Sequence, residues 1–147
     1  PQPGGAGNAL GRIIFRFPNN FSVFLHDTSS RGFFANDNRG VSHGCVRVQK
    51  PYELAKCLLL DATEWRLDKL RITMGLPPLS EQGIEYMAKE DRPQYPSFMR
   101  SLDVLARVPL YITYYTIYPD PVNGTLQAYP DVYHYDRALT RELRWYQ

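Results

Sequence analysis

The run Val108-Pro-Leu-Tyr-Ile-Thr-Tyr-Tyr-Thr-Ile-Tyr118 constrains the fold more than any other stretch of the chain. It is rich in β-branched and aromatic residues, the types that fit a pleated, packed surface. Apolar or aromatic side chains occupy its odd and its even positions alike, so both faces ask to be covered. The expectation is a central strand rather than an edge. Residues 119–124 then read as a turn, 125–129 as a strand that pairs back, and 136–145 as a closing helix.

Upstream, strand and helix signals are shorter. Residues 12–17 and 21–25 read as two strands joined by the turn Pro18-Asn19-Asn20, a hairpin. Residues 26–42 form a polar loop interrupted by Phe33-Phe34, and 46–48 a short strand. A helix over 51–60 starts at Pro51, and a second over 65–74 is stopped by Gly75 and Pro77-Pro78. Further helices are expected over 80–90 and 97–106. The result is a mixed α/β, β-rich chain with sheet strands before and after a helical insert. At 147 residues and 44% hydrophobic it suits one ordinary domain. The division expected within it is a core at 5–60, an insert at about 61–107 and closing strands and tail at 108–147.

Charge excludes more than it suggests. Seventeen Lys and Arg against fifteen Asp and Glu leave +2, dispersed rather than striped, which argues against nucleic acid as a partner. No run approaches the roughly 18–20 apolar residues that span a bilayer. Pro1 opens a glycine-rich stretch with neither Met nor a leader, as expected of a piece excised from a longer chain.

Two cysteines cannot build a disulfide scaffold. Cys57 lies within an amphipathic helix pattern and is expected to be a small buried hydrophobe. Cys45 sits in Ser42-His43-Gly44-Cys45-Val46-Arg47, a polar turn leading into a strand, where nothing asks for a hydrophobe. A cysteine nucleophile needs an imidazole to generate thiolate, an orienting group for that imidazole, and donors for a developing oxyanion. His26 ends one expected strand and Cys45 opens the next, so the two can meet at one end of a sheet. Asp27, by side chain or carbonyl, can orient His26, and Gly44 lets the backbone turn its N–H groups toward a substrate carbonyl. Zinc is the rival reading, since His26, His43 and Cys45 are all ligand types. The metal-type spacings Cys-x-x-Cys and His-x-x-x-His are absent, so no metal is expected.

His26-Asp-Thr followed by Arg39-Gly-Val-Ser-His-Gly-Cys-Val-Arg-Val48 resembles the YkuD-type L,D-transpeptidases of bacterial peptidoglycan. The flanks Gly7-Asn-Ala-Leu-Gly-Arg12 and Arg47-Val-Gln-Lys-Pro-Tyr-Glu-Leu-Ala55 are similar to the large Gram-negative branch, which carries a peptidoglycan-binding module upstream. The resemblance is firm over about 5–60, weaker over 61–107, and returns at 108–118. It implies a YkuD-like β-sandwich-type sheet whose N-terminal strands are missing from this piece. It also implies Cys45 as nucleophile, His26 as general base, and Asp27 as the group that holds the His26 tautomer. Backbone N–H groups of Gly44 and Cys45 would form the oxyanion hole. Ser42 would fix the turn, and His43, expected to point away from Cys45, has a supporting role. Arg47 stands where many members have Asn. With Arg39 it would hold a carboxylate of the stem peptide, or else form a salt bridge under the loop.

The implied reaction is acyl transfer from a tetrapeptide stem through a Cys45 thioester, forming a 3→3 cross-link with a second stem. No cofactor is needed. Water as acceptor would make an L,D-carboxypeptidase, and carbapenems would acylate Cys45. The implied location is the periplasm. An inactive peptidoglycan-binding scaffold of the same fold is the alternative from another class. A papain-like hydrolase is disfavoured, because its cysteine precedes its histidine.

Overall fold

The computed structural model describes residues 7–37, 39–92 and 100–144. They fall into two compact units, 1–108 and 109–147.

In the first unit the hairpin signals produce β1 (Ile14–Phe15) and β2 (Leu25–His26), paired antiparallel with Ile14 opposite His26 and Phe15 opposite Leu25. Asn19 organises the connection. Its amide donates to the carbonyls of Phe17 and Val23, and its oxygen accepts from the N–H groups of Phe21 and Val23. That side chain replaces ladder bonds that the short strands do not make. After a 3-10 turn at Arg31–Ala35, β3 (Val46–Arg47) joins β2 in parallel, giving the order β1-β2-β3.

Three helices follow. Helix α1 (Pro51–Leu58) begins at the proline, whose missing N–H costs nothing in a first turn. Helices α2 (Glu64–Thr73) and α3 (Glu81–Ala88) are capped by Thr63 and Ser80, which accept from Arg66 N and Gly83 N. Tyr52, Ala55 and Leu59 from α1 and its end meet Leu70 and Met74 from α2, with Ile13 and Phe15 packed against them. Cys57 departs from expectation: it is exposed. The buried stripe of α1 runs through Tyr52, Ala55 and Leu59, and a residue two places after Ala55 is turned about 200° away. The expected helix over 97–106 is also absent from its described part, 100–106; residues 97–99 lie outside the described residues.

In the second unit the expected central strand does not form. Residues 109–115 carry no strand, and Tyr111 and Ile112 are 83% and 56% exposed. Only β4 (Ile117–Pro119) pairs, antiparallel with β5 (Leu126–Ala128), as a two-stranded hairpin. Strand propensity is largely packing against neighbours, and one hairpin supplies no second partner for 109–115. The turn between β4 and β5 is tied by Asp120, whose carboxylate accepts from Val122 N, Asn123 N and Gln127 Nε2. Helix α4 (Tyr135–Leu143) follows.

Candidate active site

His26 closes β2 and is 4% exposed, followed by Asp27 and Thr28 at 3% each. Three buried polar residues in a row need partners, and they have them. His26 Nδ1 hydrogen-bonds the Asp27 carbonyl. A carbonyl can only accept, so Nδ1 carries a proton, and in the tautomer with a single ring proton that leaves Nε2 as the acceptor. The Asp27 side chain is turned elsewhere: Oδ2 accepts from Arg12 N at 3.0 Å, and Oδ1 pairs with Arg31 Nη2 at 2.8 Å. The group that orients the imidazole is therefore the backbone of Asp27, while its carboxylate fastens neighbouring segments. Thr28 Oγ1 accepts from Ser30 N.

The parallel pairing of β2 and β3 sets His26 opposite Arg47 and Leu25 opposite Val46. Val46 N donates to Phe24 O and Val48 N to His26 O, so the ladder brackets this site. Side chains alternate along a strand and registered residues share a face. Extending β3 back by one residue puts Cys45 on the face of Arg47, hence of His26. Cys45 is a partly buried free thiol. No hydrogen bond joins the Cys45 thiol and the His26 ring; the ring's bond is to the Asp27 carbonyl.

The turn into Cys45 is set by Ser42 and Gly44. Ser42 Oγ donates to the Cys45 carbonyl at 2.7 Å and accepts a long 3.4 Å contact from Gly44 N. Gly44 has φ +134°, and a Cβ there would lie 3.2 Å from Val23 Cγ1, so a side chain would be strained twice. His43 is exposed within this bend. Strand alternation cannot separate it from Cys45, because the two are two residues apart; the bend at 42–44 governs its direction instead.

The two arginines differ. Arg39 is exposed, and its Nε donates to the Asn36 carbonyl within its own loop. Arg47 lies over the Phe33 ring at 5.2 Å and donates from Nη2 to Val41 O, while its Nε and Nη1 are buried and find no partner among the described residues. The Arg47 contacts are to a ring and a carbonyl rather than to an acid.

Sequence reasoning missed Arg31 and Gly11. Gly11 has φ +64°, and a Cβ there would lie 2.4 Å from Asp27 Cβ, so glycine is what lets the two backbones approach. The signal was present in the Gly7-Asn-Ala-Leu-Gly-Arg12 flank, but nothing local says it faces Asp27. A cavity of about 710 Å³ lined by β1, α1, α2 and 100–104 lies in the same unit, and neither His26 nor Cys45 lines it.

Residues 1–72, which contain all of these groups, match the sequence model of the YkuD L,D-transpeptidase catalytic domain. A curated Haemophilus influenzae protein named "Putative L,D-transpeptidase" is 31% identical over 144 residues, or 94% of this chain. The chain spans 24% of that relative's length. Among the described residues the mixed α/β architecture, with its small sheets and four α-helices, is consistent with a YkuD fold. Among the described residues no helix is long and apolar enough to cross a membrane.

Proposed function

We propose that this chain carries the catalytic centre of a cysteine L,D-transpeptidase acting on peptidoglycan stem peptides in the cell envelope. The observation that supports the reading is the register of β2 and β3, which pairs His26 with Arg47, two residues after Cys45, together with the hydrogen bond between His26 Nδ1 and the Asp27 carbonyl.

The chemistry follows from those two groups. His26 Nε2 takes the thiol proton, and the Cys45 thiolate attacks the carbonyl carbon of the third stem residue, at its L-centre. The oxyanion is met by the N–H groups of Gly44 and Cys45; the Gly44 contact to Ser42 is long enough to yield to a charged acceptor. Collapse breaks the C–N bond, and the departing D-alanine amine takes the proton held by His26. A thioester remains on Cys45. The side-chain amine of a second stem gives its proton to His26 and attacks the thioester, forming the 3→3 amide and releasing the thiolate. Thiolate, imidazole and backbone donors supply every step. Arg47, with two unpaired buried guanidinium nitrogens, is the better placed arginine for a stem carboxylate, since Arg39 is engaged by its own loop. His43 shapes the exposed rim of the turn.

Full-length protein incubated with a disaccharide-tetrapeptide should release D-alanine and form a cross-linked dimer, read by mass spectrometry. Release without dimer would assign hydrolysis, and neither product would return the chain to a scaffold role. Cys45→Ala should abolish both products and the mass adduct with a carbapenem. His26→Ala should abolish acylation while His43→Ala only slows it; the reverse ranking would overturn the assignment of the base.

A further inference from the structure

The segment between His26 and Cys45 has to bring two distant residues to one sheet face, and one side chain ties its beginning to the far side of β3. Arg31 sits in the 3-10 turn that follows His26-Asp27-Thr28. Its Nη2 pairs with Asp27 Oδ1 at 2.8 Å, and its Nη1 donates to the Gln49 carbonyl at 2.7 Å. Asp27 is next to the base, and Gln49 lies two residues beyond β3. The guanidinium thus joins the end of β2, which carries His26, to the segment that follows β3, the strand that Cys45 leads into, and its planar fork serves both at once. The remaining Asp27 oxygen accepts from Arg12 N, and Asp27 N donates to Ile13 O. The residue whose carbonyl meets His26 Nδ1 is therefore held at its N–H and at both carboxylate oxygens.

We propose that Arg31 is a positioning residue for the acyl transfer. It touches neither thiol nor substrate. By fixing the Asp27 carboxylate it fixes the peptide plane whose carbonyl keeps the His26 proton on Nδ1, leaving Nε2 for Cys45. The Gln49 arm holds the spacing of the two strands at this end. Arg31 is 54% accessible against 4% for Asp27, so truncating it removes little packing but strips a partner from a buried carboxylate, and melting temperatures of each variant separate a positional effect from unfolding. The role rests on the reading of Cys45 and His26 as nucleophile and base.

The test uses the full-length protein, a carbapenem as probe, and intact mass to follow acylation. Arg31→Ala should lower the maximal acylation rate by about 10- to 100-fold with the half-saturating carbapenem concentration unchanged, because orientation rather than binding is lost. Nitrogen-15 spectra should show the neutral His26 ring as the Nδ1–H tautomer in the parent and as a mixture in Arg31→Ala. Arg31→Lys, which can still reach the Asp27 carboxylate, should recover most of the rate and the parent tautomer. Arg31→Gln, which removes the charge but keeps most of the bulk, gives the same readings should the alanine variant not fold. A wild-type rate in these neutral variants, or a slower rate with the tautomer unchanged, overturns the proposal. A Cys45→Ala protein that still forms the adduct would instead sink the nucleophile assignment itself, so the two failures are distinguishable.

Discussion

Asp68 in the first unit and Asp131 in the second do similar work in different surroundings. Asp68, 2% exposed, accepts from Leu79 N, Ser80 N and the Ser80 hydroxyl, joining α2 to the start of α3. Asp131 accepts from Asp136 N, Tyr133 N and the Tyr114 hydroxyl, joining the head of α4 to the 109–115 segment. Burial opposes ionisation of Asp68, but the Ser80 hydroxyl, the Leu79 and Ser80 N–H groups and nearby Arg71 outweigh it, and its carboxyl is held below the usual range. Lost hydration also opposes ionisation of Asp131. The bonds from Asp136 N, Tyr114 and Tyr133 N, with His134 nearby, again prevail and hold it low. The lesson is that hydrogen bonds to a carboxylate lower it in both places, but only the first is backed by a packed apolar core.

The sharpest way to break that contrast is to truncate a leucine in each unit. Leu70→Ala, at 5% exposure, should cost about 3 kcal/mol in denaturant unfolding followed by Trp65 fluorescence. Leu139→Ala, at 58% exposure, should stay within about 0.5 kcal/mol. Equal losses would mean that α4 is packed after all. Next in size, Gly11→Ala should cost about 2 kcal/mol, from the left-handed φ and the approach to Asp27, and should lower carbapenem acylation; an unchanged melting temperature would remove Gly11 from the site.

Asp68→Asn should cost about 2 kcal/mol at neutral pH, because an amide hydrogen replaces one acceptor among three donors. Its pH signature has a definite sign. With the folded carboxyl held below its unfolded value, the contribution is present above an unfolded pKa of about 3.9 and is lost as pH falls through the lower folded value. The parent should therefore lose stability over that acid window and Asp68→Asn should lose less; parallel curves would mean Asp68 is not the titrating group. Smallest of all, Tyr114→Phe should weaken hydrogen-exchange protection of the Asp136 N–H while leaving the unfolding of the first unit unchanged.

Elements with local causes were legible. Pro51 opens α1 through its fixed backbone angle, and the turn at Pro18-Asn19-Asn20 brings its own side-chain bonds, whereas the caps Thr63 and Ser80 emerge only in the structure. Burial was less legible. Cys57 was expected inside and Val108–Tyr118 at the centre of a sheet. Both depend on which face or edge another segment covers, and composition is silent on that. The candidate site shows the same division. His26, Ser42, Gly44 and Cys45 stand out because their residue types fit thiol chemistry and their pattern resembles a known family. Arg31 and Gly11 do not, because an arginine in a polar loop and a glycine in a turn look alike wherever they occur.

By itself the sequence determined the helix start at Pro51, the hairpin turn and the identities of the thiol, the imidazole and the turn glycine, since these follow from side-chain chemistry and short-range sterics. Tertiary structure alone decided that β3 lies parallel to β2 with His26 opposite Arg47, and that the Asp27 backbone rather than its carboxylate faces the ring. It also decided that Arg31 joins the end of β2 to the segment that follows β3. Those outcomes depend on contacts between segments up to 21 residues apart, where closing the loop costs entropy that only the finished network offsets.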